Sequence, residues 1–266
     1  MFLTRALSNK LPLNHISFLC LTALALVAAP AAHGATINYG NFNVPPAGIS
    51  FNNVTESSGT DPVPLYGPPD PFVVGLDFDP TSFVATANGG ASDVTDGQLN
   101  FTIAGLVNQN GYVGIDVVNL FEAGDFSLAG SGTAATQALA GAIIRATVTQ
   151  INGLPVSPIN LAPANASVGF NLVANPGIVQ PWSLGIGYNI TNQLAPGQLA
   201  TRVEISIDNS LIALSQAGSL AFIAKKDFRI NLTPETVGQP FVPEPGTLLL
   251  AGLASVIGLA WRRSRG

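Results

Sequence analysis

Four aspartates are the first residues in this chain whose type and spacing could do chemistry. Asp77 and Asp79 flank Phe78, and after a loop Asp93 and Asp96 stand in Asp93-Val94-Thr95-Asp96-Gly97. Hard carboxylate oxygens near strand ends suit Ca²⁺, so Asp77, Asp79, Asp93 and Asp96 form a candidate calcium set, and calcium is the one cofactor the pattern admits. The spacing fits no EF-hand loop, and aspartates beside Pro80 and Gly97 equally serve as turn formers that cap backbone amides. A second candidate is aromatic. Trp182 and Tyr188 share one face of an alternating segment and could stack on the C–H faces of sugar rings, with core packing as the competing reading. A glycosidase-like acid/base pair could be drawn from Glu56, Glu122, Asp125 and Glu204, yet nothing in their spacing sets two of them about 5 to 9 Å apart across a cleft.

Other chemistry is excluded by what the body lacks. Met1, Cys20, His15 and His33 all precede residue 35, so the stretch from Ala35 to Pro240 has no methionine, cysteine or histidine. A Ser-His-Asp triad, a cysteine nucleophile and zinc or haem sites of the usual ligands are therefore out of reach. No disulfide can staple the body either, so its stability must come from a core. Of fifteen acidic residues only Glu244 lies outside it, whereas of ten basic residues only Arg145, Arg202, Lys225, Lys226 and Arg229 lie within it. Such an acidic surface repels nucleic acid and anionic lipid.

The elements that would carry these residues read as strands. Gly, Pro, Asn and Asp clusters recur every ten to fifteen residues, and helical spacing of apolar side chains is sustained almost nowhere. The pattern predicts strands over 36–44, 48–56, 81–87, 97–104, 111–121, 141–151, 167–173, 182–190, 200–207 and 221–232. Val203, Ile205 and Ile207 should point inward against Arg202, Glu204 and Ser206, and Phe228, Ile230 and Leu232 against Asp227, Arg229 and Asn231. Asp208-Asn209-Ser210 and Ser215-Gln216-Ala217-Gly218 read as turns, 133–142 as a short alanine-rich helix, and the proline-rich 61–71 as an exposed loop or edge crossing. The fold class expected is all-β, an antiparallel β-sandwich of jelly-roll or immunoglobulin-like kind.

Both ends carry addresses. Arg5 and Lys10 precede the apolar stretch from Ile16 to Ala29, and Pro30-Ala31-Ala32-His33-Gly34 supplies small residues for cleavage, the tripartite pattern of a secretory signal peptide over 1–34. A β-sandwich over 35–233 follows, then a proline-rich stalk over 234–245, then an apolar helix and basic end over 246–266. Pro243 and Pro245 lack backbone donors and hold Val242 and Glu244 extended, so Pro-Glu-Pro stands apart from the helix behind it. From Gly246 to Trp261 no side chain is charged, a span of roughly 24 Å that Trp261 and snorkelling Arg262, Arg263 and Arg265 extend toward bilayer thickness. The basic end marks the cytoplasmic side and leaves the body outside.

This order of Val242-Pro243-Glu244-Pro245, apolar helix and arginine cluster resembles the PEP-CTERM sorting signal of Gram-negative bacteria. The resemblance covers only the tail. It implies recognition and cleavage near Pro243-Glu244-Pro245 by an exosortase, an integral membrane peptidase, with Arg262, Arg263 and Arg265 as the membrane stop. It further implies a chain anchored first in the inner membrane, then displayed at the surface or released, in an organism that makes extracellular polysaccharide. The function expected is that of a non-catalytic surface or matrix protein, sorted by its tail. A glycan-binding sandwich and a carboxylate hydrolase or lyase are the alternatives.

Overall fold

The computed structural model describes residues 35–108 and 111–236. The signal segment, the Pro-Glu-Pro motif, the apolar helix and the arginine cluster lie outside the described residues. Among the described residues fourteen strands follow in order: β1 Ile37–Val44, β2 Ile49–Ser57, β3 Asp70–Phe72, β4 Gly75–Phe78, β5 Val84–Asn88, β6 Ser92–Gly105, β7 Val107–Asn108 and β8 Gly111–Gly130, then β9 Gln137–Ile151, β10 Leu154–Asn160, β11 Ala164–Asn171, β12 Gly177–Asn189, β13 Ala200–Leu214 and β14 Ser219–Thr236. Among the described residues helix is confined to two single 3-10 turns, Pro45–Ala47 and Thr191–Gln193, and no helix is long and apolar enough to cross a membrane.

Two antiparallel sheets result. One runs β1-β2-β6-β13-β9-β10 with β11 also on β9, and the other runs β12-β8-β14-β4-β3 with β5 also on β14. Their inward faces meet in one apolar cluster that takes Phe51, Phe101, Ile205 and Ile207 from the first sheet and Leu120, Phe126, Phe228 and Ile230 from the second. The alternation on β13 and β14 is as expected: Val203, Ile205 and Ile207 are buried while Arg202 and Glu204 face solvent, and Phe228, Ile230 and Leu232 are buried while Arg229 is exposed.

Four local expectations are corrected. Residues 133–142 form a turn and the start of β9, because Ala138, Ala140 and Ala142 repeat with period two in the core and pair with β11 on one side and β13 on the other. Pairing on both sides outweighs the helical preference of alanine. Asp208-Asn209-Ser210 is mid-strand, with Asp208 opposite Gln98 and Asn209 opposite Gly97. Asp208 accepts a hydrogen bond from Gln98 Nε2 at 2.6 Å and pairs with Arg145. The proline-rich segment does provide the edge strand β3, but Leu65 and Tyr66 at its centre are buried rather than looped out. Finally β14 runs on to Thr236, past the expected stalk boundary at 233, with Pro234 sitting at a register shift where its missing donor does no harm.

Candidate functional site

Glu122, Asn209 and Lys225 are the polar residues that the fold gathers at its centre. Each occupies an inward position of a period-two row: Leu120 then Glu122 on β8; Ile205, Ile207, Asn209, Leu211 and Ala213 on β13; Ala221, Ile223 and Lys225 on β14. The β14 row is aimed by a bulge. Register slips between Lys225 and Asp227, so Lys226 is extruded to solvent, and the Lys225 amide donates to Phe83 O at 2.9 Å where the edge passes from β5 to β4.

All three side chains are sealed from water, with Glu122 at 0 %, Lys225 at 1 % and Asn209 at 2 % exposure. Lys225 Nζ lies 2.9 Å from Glu122 Oε2 and donates to Asn209 Oδ1 at 2.5 Å. The rings of Phe83, Phe228 and Tyr66 stand around the amine, their centroids 4.5, 5.1 and 5.5 Å from Nζ. Tyr66 meets Phe78, Phe83 and Phe228 edge-on and donates its hydroxyl proton to Gly97 O at 3.1 Å. A Cβ at Gly97 would come within 2.7 Å of Phe83 and 3.0 Å of Tyr66, so glycine at this strand position admits the aromatic wall.

Burial depresses the Lys225 ammonium below the ordinary lysine range, opposed by the attraction of Glu122, and burial likewise raises the Glu122 carboxyl, opposed by Lys225. Both shifts favour the neutral amine and the neutral acid. Neither Glu122 oxygen completes a well-directed hydrogen bond, and Asn209 Nδ2 is buried with none. The centre therefore holds a nucleophile, a proton carrier and a carboxamide in contact, in a water-free site and incompletely satisfied.

A second buried carboxylate does structural work. Glu56 on β2 accepts hydrogen bonds from the Tyr39 hydroxyl at 2.5 Å, from the Tyr66 amide at 3.2 Å and from the Leu65 amide. It thereby docks the proline-rich segment and seats Tyr66 beside Lys225. Of the other proposed acid/base residues, Glu204 is exposed and Asp125 pairs with Lys226.

The four aspartates are not brought together. Asp77 pairs with Arg229 at 3.0 Å, Asp79 is exposed, and Asp93 accepts the Thr86 amide at 2.7 Å. Asp96 Oδ1 accepts from the Gly59 amide at 3.1 Å and the Thr60 hydroxyl at 2.9 Å. Among the described residues no three acidic, histidine or cysteine side chains form a metal-binding group. The aromatic pair is also relocated. Trp182 and Tyr188 do share a face, but it is the inner one: they are 4 % and 1 % exposed, the indole donates to Ala224 O at 3.0 Å and the phenol to Ala162 O at 2.9 Å. Core packing leaves neither ring free to stack on a sugar. Sequence reasoning overlooked Lys225 and Asn209: one further step of the β13 alternation from Ile207 puts Asn209 on the buried parity, whereas the same step back from Phe228 on β14 reaches Lys226, and only the bulge there turns Lys225 inward.

Residues 241–265 match the model of the PEP-CTERM protein-sorting motif. The chain carries a PEP-CTERM tail. That match spans Val242, Pro243, Glu244, Pro245 and the arginines Arg262, Arg263 and Arg265. A PEP-CTERM tail marks an exported protein sorted to the cell envelope or surface and implies handling by an exosortase, a membrane protein. No curated protein matches the sequence. Among solved structures, TmCBM61 in complex with beta-1,4-galactotriose aligns at 13 % identity over 60 % of this chain and 70 % of that one, with a TM-score of 0.22. The enzymatically active domain of bacteriophage CBA120 tailspike protein 4 aligns at 15 % identity over 71 % and 20 % of the two chains, with a TM-score of 0.20. For infectious bursal disease virus, Gx strain, the values are 14 %, 76 % and 56 %, with a TM-score of 0.17. Likeness this slight bears on neither the fold nor the function of this chain.

Proposed function

We propose that this protein is a non-catalytic component of an exopolysaccharide-containing surface layer, delivered by its PEP-CTERM tail. The observation that carries the reading is the match over 241–265, which follows in sequence a two-sheet body whose last described strand is Ser219–Thr236. In this account an N-terminal signal over 1–34 starts export, the apolar helix over 246–266 holds the chain in the inner membrane with its arginines inward, and an exosortase-type peptidase acts near Pro243-Glu244-Pro245. The body then needs no cofactor. Its buried Glu56 and large aromatics serve the core: Glu56 docks a loop, Trp182 and Tyr188 cap carbonyls, and the half-buried Asp208, Asp125 and Asp77 pair with Arg145, Lys226 and Arg229.

Mass spectrometry of the extracellular form tests this. The expected C-terminus falls within Pro243–Gly246 and is no longer produced when Pro243, Glu244 and Pro245 are replaced by alanine. A secreted chain still ending beyond Arg265, or unchanged processing of the triple variant, refutes it.

A further inference from the structure

We propose that Lys225 and Asn209 join covalently, the lysine Nζ forming an amide with the asparagine Cγ while Glu122 carries the proton. The inference goes beyond the sorting role and does not rest on it. Nζ lies 2.5 Å from Asn209 Oδ1, and Cγ sits one carbonyl bond of about 1.2 Å behind that oxygen, so the amine is no more than about 3.7 Å from the carbon it would attack. That is near the separation of a reacting pair held for attack, about 3 to 3.5 Å. Glu122 Oε2, at 2.9 Å from Nζ, is placed to receive its proton.

The step balances without a further reagent. Proton transfer within the ion pair gives a neutral amine and a protonated Glu122. The amine lone pair attacks Cγ, and the carbonyl electrons move onto Oδ1, which the Glu122 carboxyl can steady as a donor. The amine nitrogen gives up a proton through Glu122 to Nδ2, the Cγ–Nδ2 bond breaks and ammonia leaves. The products are a secondary amide and one ammonia, with no change in oxidation state. Asn209 Nδ2, buried and without a hydrogen-bond partner, is the leaving group, so nothing must be broken to release it. Phe83, Phe228 and Tyr66 wall the amine, keep water from competing and make the charged pair costly to hold, which favours the reactive neutral forms. The unsatisfied polar atoms, otherwise a defect in a sealed core, are what an unreacted precursor would leave.

The bond would tie β13 of one sheet to β14 of the other across the core, closing a loop whose ends are 16 residues apart. It would give a body without cysteine the covalent staple that disulfides give other exported domains.

The test is peptide mapping of the full-length protein expressed with its own signal and purified from the exported fraction. Trypsin should not cut after an acylated Lys225, so the expected peptide runs from Val203 to Lys226 and is lighter than its sequence by one ammonia, about 17 Da. Single backbone breaks between residues 209 and 225 should release no fragments from it. Chymotrypsin, cutting at Phe222, should leave two peptides still joined. Asn209→Ala and Glu122→Gln should restore the full mass, and Asn209→Asp should lose water, about 18 Da, in place of ammonia. Wild-type protein that is folded by circular dichroism and yields a full-mass peptide with free Lys225 overturns the proposal, whether or not any variant folds. A mass deficit mapped to residues other than Asn209 and Lys225 overturns it equally.

Discussion

Replacing Trp182 with alanine separates an inner tryptophan from a surface one. The indole is 4 % exposed, lies on β12 opposite Gly124 of β8, and donates to Ala224 O at 3.0 Å. Emptying such a site costs about 3–5 kcal/mol in lost transfer energy and cavity formation. Stranding the buried Ala224 carbonyl adds about 1 kcal/mol or more. The sum is a large part of the roughly 5–15 kcal/mol that holds a domain together. For a body of about 200 residues, at roughly 2–4 °C per kcal/mol, Tm should fall by on the order of 10–20 °C. Trp182→Phe keeps most of the ring and loses the donor, so about 1–2 kcal/mol and a fall of a few degrees are expected. Scanning calorimetry of the exported wild type and both variants reads this. A shift below about 3 °C for Trp182→Ala would mean that the ring contributes little to the core, and the reasoning that removed it from a sugar-binding surface would fail.

Two further outcomes are expected. Tyr39, Tyr66 and Tyr188 all have phenols held above the ordinary tyrosine range, chiefly by burial. The native state therefore keeps protons that the unfolded chain releases near pH 10, so the stability they contribute is complete below about pH 10 and is lost as pH rises through the native values. Phenolate absorbance should rise together with loss of near-ultraviolet dichroism, and full tyrosine ionisation near pH 10 with the fold intact would refute this. Because Asp77 is held by Arg229 and Asp96 by the 58–60 turn, millimolar Ca²⁺ or EDTA should leave Tm within about a degree, whereas Asp96→Ala should lower stability by about 1–2 kcal/mol by removing the acceptor of the Gly59 amide and the Thr60 hydroxyl. A Tm that climbs with the logarithm of Ca²⁺ concentration would restore the calcium reading.

What the sequence determined by itself was local or one-dimensional. Period-two rows such as Val203-Ile205-Ile207 and Phe228-Ile230-Leu232 announce strands because the pleat turns alternation directly into an inside and an outside. A terminal tag such as Val242-Pro243-Glu244-Pro245 needs no fold to be read, since order and composition in one short stretch define it. Tertiary structure decided where alternation is silent. Alanine in 138–142 and the polar run Asp208-Asn209-Ser210 have local preferences for helix and turn, and pairing with strands on both sides overrode them. Whether Trp182 faces a sugar or a core depends on which side of β12 the opposite sheet covers. Above all, Glu122, Asn209 and Lys225 come from three strands, and Glu122 is far from the other two along the chain. Glu122 and Asn209 continue the inward parity of Leu120 and Ile207, whereas Lys225 is turned inward only by the bulge at Lys226, and sheet order and register bring the three inward rows to the same level of the core.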